Sequence, residues 1–158
     1  MKPGNIVLAL GPLGDLATVN AGLHVDLKLT DFGLTGDILD PPRGGTPHYA
    51  SPQFLQYFLG GHNAKWVAQP LDHFDIWSLG VILFEMLFGR VPFDGRSIDE
   101  IYLGMKNKFN AGRGDPVFQL NDPEVLNRVQ EINKTRPQLI ELLEKILTWY
   151  PKDRITAQ

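Results

Sequence analysis

The sequence predicts a mainly helical domain that carries a small β-hairpin near its N-terminus. Three observations point there. Two short apolar segments of strand type lie between residues 5 and 30. An almost unbroken apolar segment runs from Asp75 to Phe88. Helix-opening signals follow it, the second leading into apolar residues at helical spacing. The chain has 158 residues, 43% hydrophobic and 21% charged, which is enough for one ordinary domain with its own core.

The elements follow in order. Asn5 to Leu10 is a short apolar run of strand type. Gly11, Pro12, Gly14 and Gly22 make the next stretch a loop. His24 to Thr30 alternates, with Val25, Leu27 and Leu29 on one face, as expected of a half-buried strand. From Gly33 to Pro52 glycine and proline are frequent, which predicts a long irregular segment of functional type. Asp75 to Phe88 is apolar nearly all round and reads as a buried central helix ended by Gly89. Ser97-Ile98-Asp99-Glu100 is a capping-box pattern that opens a helix toward Lys108. Thr135-Arg136-Pro137-Gln138 repeats that signal before Leu139, Leu142, Leu143, Ile146, Leu147 and Tyr150.

Composition excludes several classes of function. A net charge of −3 provides no basic footprint for nucleic acid. With no cysteine there is no disulfide, thiolate zinc site or cysteine nucleophile, which fits an intracellular, cytoplasmic protein. No basic region leads into a long apolar run at the N-terminus, and Leu79 to Phe88 is too short for a membrane span and contains Glu85. The four histidines, His24, His48, His62 and His73, lack metal-ligand spacing.

Asp31-Phe32-Gly33 closes the second strand segment. An aspartate just after a strand, followed by glycine, can aim a carboxylate at Mg²⁺. Asn5, at the start of the preceding strand, offers a second hard oxygen. As a lone triplet it would be an ordinary turn. It stands, however, in an ordered set: Lys2-Pro3-Gly4-Asn5, then Asp31-Phe32-Gly33, Gly45-Thr46-Pro47-His48-Tyr49-Ala50-Ser51-Pro52-Gln53, Asp75-Ile76-Trp77-Ser78-Leu79-Gly80, and Pro151-Lys152-Asp153-Arg154-Ile155-Thr156. In that order these motifs resemble the C-terminal lobe of a eukaryotic protein kinase of the serine/threonine type.

The resemblance covers residues 1–158 as a partial kinase domain, from the end of the catalytic loop onward and without the N-terminal lobe. It implies ATP and Mg²⁺ as cofactors and a protein as substrate, with neither nucleic acid nor membrane as partner; oligomeric state is left open. By the same resemblance Lys2 neutralises the transferred phosphate, Asn5 and Asp31 bind metal, and Asp31 also serves the nucleotide. Val7 would lie against the adenine ring, supported by Ile82 and Met86, although plain core packing explains all three. Thr46 belongs to the substrate-docking segment. Asp75, Gln53 and Arg154 are structural: Asp75 is a carboxylate near a helix N-terminus, which the resemblance makes an anchor for the catalytic loop.

Three departures limit what the resemblance implies. The family's catalytic Asp would stand one residue before Met1, so the chain by itself is expected to be inactive, with Met1 read as an internal methionine of a longer protein. Gln53 stands where the family has a glutamate paired with the arginine at Arg154; it is expected to accept hydrogen bonds from that guanidinium without neutralising it. Between Thr35 and Thr46 there is no hydroxyl residue to phosphorylate, and Asp37 or Asp40 would be the fixed negative charge. The rival expectation is a pseudokinase-like module that binds proteins.

Overall fold

The computed structural model describes residues 1–9, 26–33, 44–61, 73–109 and 123–156. The expectations for the loop at 11–22, for Val25, and for Asp37 and Asp40 lie outside these residues.

Strands β1 (Ile6–Ala9) and β2 (Asp26–Leu29) pair antiparallel, with Ile6 opposite Leu29 and Leu8 opposite Leu27. This is the expected hairpin. It is not half-buried, however: Leu27 is 66% exposed and Leu29 48%. A two-stranded ribbon buries a face only where another layer lies on it, and none of the described residues buries these two.

Helix α1 (Pro52–Leu59) was not foreseen. Ser51 caps it, its Oγ accepting from the Phe54 amide at 3.3 Å, and Pro52 fills the first turn, where a missing N–H costs nothing. Helix α2 (His73–Phe88) is the expected central helix. It stops at Gly89, whose φ of +74° is available to glycine and whose N–H returns to the Glu85 carbonyl at 2.8 Å. Helix α3 (Ile98–Phe109) opens on Ser97, whose Oγ accepts from the Glu100 amide at 3.2 Å, while the Glu100 carboxylate accepts from Arg96 rather than from Ser97.

The expected start at Thr135 is corrected. Thr135 is the last residue of an unforeseen helix α4 (Pro123–Thr135), and α5 (Pro137–Ile146) begins after Arg136 with proline in its first turn and no side-chain cap. The opening signal there is Pro137, since α4 claims Thr135. Leu147 closes α5, so Tyr150 lies beyond it.

The core lies between the helices. Trp77, Val81 and Phe84 of α2 meet Phe93, Ile101, Met105 and Phe109 on one side and Leu143 and Leu147 on the other. The Trp77 ring stacks on Phe93 at 5.7 Å, and Phe109 meets Trp149 edge-on at 5.5 Å. Gly80 lets α2 and α5 approach: a Cβ there would collide with Ile146 and come within 2.9 Å of Leu147. Helix α2 is not buried all round. Leu79 and Asp75 are exposed, and Met86 is 79% exposed, so core packing holds for Ile82 and fails for Met86. Ile82 and Met86 lie one turn apart on one stripe, and the described core ends between them.

Candidate functional site

The hairpin register builds the first half of the site. Because Ile6 faces Leu29, the next pair is Asn5 and Thr30, and the Thr30 amide donates to the Asn5 carbonyl at 2.8 Å. Asp31 follows Thr30, one residue beyond that bond. Its φ is +63°, the left-handed region that a non-glycine residue seldom occupies; such backbone strain concentrates at functional sites. Both residues bring hard oxygen ligands, one of them a carboxylate. Mg²⁺ is commonly held by one or two carboxylates together with substrate phosphates and water, so this pair suits a nucleotide-bound Mg²⁺.

Lys2 is exposed and extended, immediately before the 3₁₀ turn Pro3–Asn5, which the Asn5 amide closes on the Lys2 carbonyl at 3.0 Å. A short rigid turn therefore holds Lys2 and Asn5 at a set spacing. Val7, 41% exposed, sits on β1 opposite Lys28.

The second half is the segment from Gly44 to Ser51. Thr46 is exposed and precedes the 3₁₀ turn Pro47–Tyr49, where the Tyr49 amide returns to the Thr46 carbonyl at 3.1 Å. Tyr49 is tied to α2 at both ends. Its hydroxyl donates to Glu85 at 2.9 Å and its carbonyl accepts from Ser78 Oγ at 2.9 Å. Burial, reinforced by the Glu85 carboxylate, raises the Tyr49 phenol to about 12, so it stays a donor at neutral pH. Sequence reasoning quoted Tyr49 and Ser78 inside motifs but gave neither a role. Nothing local in the sequence pairs residues 29 positions apart.

Asp75 lies in the first turn of α2 with its side chain largely exposed. Its Oδ1 is 4.0 Å from the terminal ammonium of Met1, which also donates to Ser78 Oγ at 3.3 Å. Asp75 also sits in the favourable field of a helix N-terminus.

Gln53 and Arg154 do not behave as expected. Arg154 is 4% exposed, but it donates to carbonyl oxygens: His73 at 2.6 Å through Nη1, and Thr148 at 2.9 Å through Nη2. Gln53 Nε2 instead donates to the Trp149 carbonyl at 2.7 Å, and Gln53 Oε1 is buried with no hydrogen-bond partner among the described residues. The correction has a simple cause. An amide, unlike a carboxylate, gains more from a free carbonyl than it can offer a guanidinium that carbonyls already satisfy. Burial lowers the Arg154 guanidinium to about 10, so it remains charged at neutral pH.

The fold is thus a mainly helical lobe with a small hairpin, its Thr46–Tyr49 segment strapped to the central helix. A model described as the protein kinase domain matches residues 1–158, and the chain belongs to that family. It is 32% identical, over 84% of its length, to "Probable serine/threonine-protein kinase MARK-C" of Dictyostelium discoideum, covering 14% of that protein. It is 29% identical, over 80% of its length, to "Cell cycle serine/threonine-protein kinase CDC5/MSD2" of Saccharomyces cerevisiae, covering 17% of it. All of it aligns at 27% identity with "Serine/threonine-protein kinase 17A" of Oryctolagus cuniculus, covering 32% of that protein. The chain therefore spans less than a third of these relatives. Among the described residues, no helix is long and apolar enough to cross a membrane.

Proposed function

We propose that this chain is the C-terminal lobe of an ATP-dependent protein serine/threonine kinase, with residues 1–158 forming part of the kinase domain. Asn5 and Asp31 hold Mg²⁺ against the nucleotide phosphates, Lys2 offsets charge on the transferred phosphate, and Val7 lies against the adenine. Thr46 belongs to the segment that docks a protein substrate. Asp75 and Arg154 hold the frame. The whole protein acts inside the cell, in the cytoplasm. The chain taken alone is not expected to transfer phosphate, because Lys2, Asn5 and Asp31 provide positioning and metal binding but no base.

The observation that supports this reading is the bond from the Thr30 amide to the Asn5 carbonyl, with Asp31 following Thr30 at a φ of +63°. The test is thermal melting of the purified chain with Mg²⁺, with ATP, and with both. Mg²⁺ and ATP together should raise the melting temperature of the wild type and not of Asp31→Ala. An equal response in both proteins would remove Asp31 from the site. A second reading, a pseudokinase-like module that binds proteins, draws support from Gln53, which makes no pair with Arg154. It predicts no response to nucleotide in the wild type.

A further inference from the structure

We propose that the buried guanidinium of Arg154 is a binding site for one small monovalent anion, with chloride as the simplest occupant. Arg154 is 4% exposed, and no carboxylate among the described residues pairs with it. Its bonds go to neutral carbonyls: Nη1 donates to His73 at 2.6 Å, while Nε and Nη2 both donate to Thr148, at 3.3 and 2.9 Å. A guanidinium carries five N–H donors, so two of those on Arg154 have no acceptor among the described residues. Burial lowers the Arg154 guanidinium to about 10, with no opposite charge to offset that fall. Carbonyl dipoles satisfy donors but cancel no net charge, and a buried charge without a partner is costly to a folded chain.

Two further buried atoms lie in the same neighbourhood. The guanidinium sits 4.9 Å from the centre of the Trp77 ring, which is closed to solvent, and the Trp77 Nε1 donor has no partner among the described residues. Gln53 donates through Nε2 to the Trp149 carbonyl, next along the chain from the Thr148 carbonyl that Arg154 grips, and its Oε1 is buried without a partner. Unused donors therefore outnumber unused acceptors around a fixed positive charge. That balance favours an acceptor with negative charge; a water would satisfy donors and leave the charge uncancelled. The occupant must be small, because Trp77 and Arg154 are almost closed to solvent. A carboxylate at position 53 would serve from within the chain, whereas the Gln53 amide leaves the role to a diffusible ion. Arg154 joins the segment after α5 to the first residue of α2, so an anion held there stabilises that junction.

The test is thermal melting of the whole chain in potassium chloride and in potassium gluconate at equal ionic strength, so that general screening is matched. Chlorine NMR linewidth reads the bound ion directly. The wild type should gain roughly 3–5 °C at chloride about tenfold above its dissociation constant, the gain levelling off as the site fills. It should also broaden the chloride line. Gln53→Glu supplies the counter-charge covalently and should melt at one temperature in both salts, without excess broadening. Arg154→Met removes the cation and should lose both responses; if it does not fold, Gln53→Glu decides alone. Equal melting of the wild type in the two salts, or a chloride response that survives in Gln53→Glu, would overturn the site. Neither ATP nor Mg²⁺ enters this experiment, so its outcome and that of the kinase reading are judged separately.

Discussion

The guanidinium of Arg154 lies 4.9 Å from the centre of the Trp77 ring, capped by carbonyl oxygens and paired with no carboxylate among the described residues. Cation–π contact and three carbonyl hydrogen bonds hold a buried charge that has no counter-ion there.

Gln53→Glu should raise the melting temperature. Gln53 and Arg154 bond to the adjacent carbonyls of Trp149 and Thr148, so a carboxylate at 53 needs only a side-chain rotation to meet the guanidinium. A buried pair is worth about 3–5 kcal/mol against its broken form, and the lost Trp149 bond costs about 1 kcal/mol. Desolvation of the new carboxylate takes a further share, leaving a rise on the order of 5 °C. Calorimetric melting of the two proteins measures it, and an unchanged or lower midpoint would mean that the carboxylate does not reach Arg154.

Tyr49→Phe should narrow the stability gap to the wild type at high pH. Burial first and the Glu85 bond second raise the folded phenol to about 12 against about 10 when free, so below pH ~10 both states are protonated and this stabilisation is present in full. As pH rises from ~10 to ~12 the unfolded chain ionises first, and that contribution is lost. Melting of both proteins from neutral pH to pH ~11 shows whether the gap shrinks above ~10. A constant gap would place the Tyr49 phenol at its ordinary value.

Gly80→Ala and Gly104→Ala should move stability in opposite directions. The first drives a methyl into Ile146 and Leu147 between α2 and α5, an overpacking cost of about 1–3 kcal/mol. The second meets nothing within 4 Å in the interior of α3 and gains helix propensity, about 0.5–1 kcal/mol. Denaturant unfolding of the pair decides it; equal loss in both would show that α2 and α5 are not in close contact.

Ser97→Ala should destabilise by about 0.5–2 kcal/mol, because the Glu100 amide loses its acceptor at the start of α3. Ser97→Asp, which keeps an acceptor oxygen and adds charge at the N-terminus, should hold or exceed wild-type stability. Urea midpoints of the two variants provide the measurement, and a Ser97→Ala midpoint equal to wild type would mean the cap contributes nothing.

Local signals carried much of the fold. The alternation before Asp31, the glycine after Phe88 and the Ser97–Glu100 spacing each name an element through neighbours within one turn or strand. Thr135 misled because two helices compete for it and Pro137 decides between them. Helix α4 shows in sequence only as Val125, Val129 and Ile132 at helical spacing among polar residues, a weak signal. In the candidate site, Lys2, Asn5 and Asp31 are proposed from the short motifs in which they stand. Tyr49–Glu85 and Tyr49–Ser78 were not legible in sequence, because each joins residues tens of positions apart and no local pattern encodes which partner meets which.

The sequence alone determined the family, the helical character and the residue types placed at the hairpin end, since these depend on periodicity and on short ordered motifs. Tertiary structure decided how the parts are held. It gave Arg154 carbonyls instead of Gln53, left Met86, Leu27 and Leu29 exposed, and tied Tyr49 to Ser78 and Glu85 of the central helix. The physical reason is that burial and hydrogen-bond choice are settled by competition among all groups brought into reach on folding. An amide, a carbonyl and a guanidinium select partners by what the packed helices leave available.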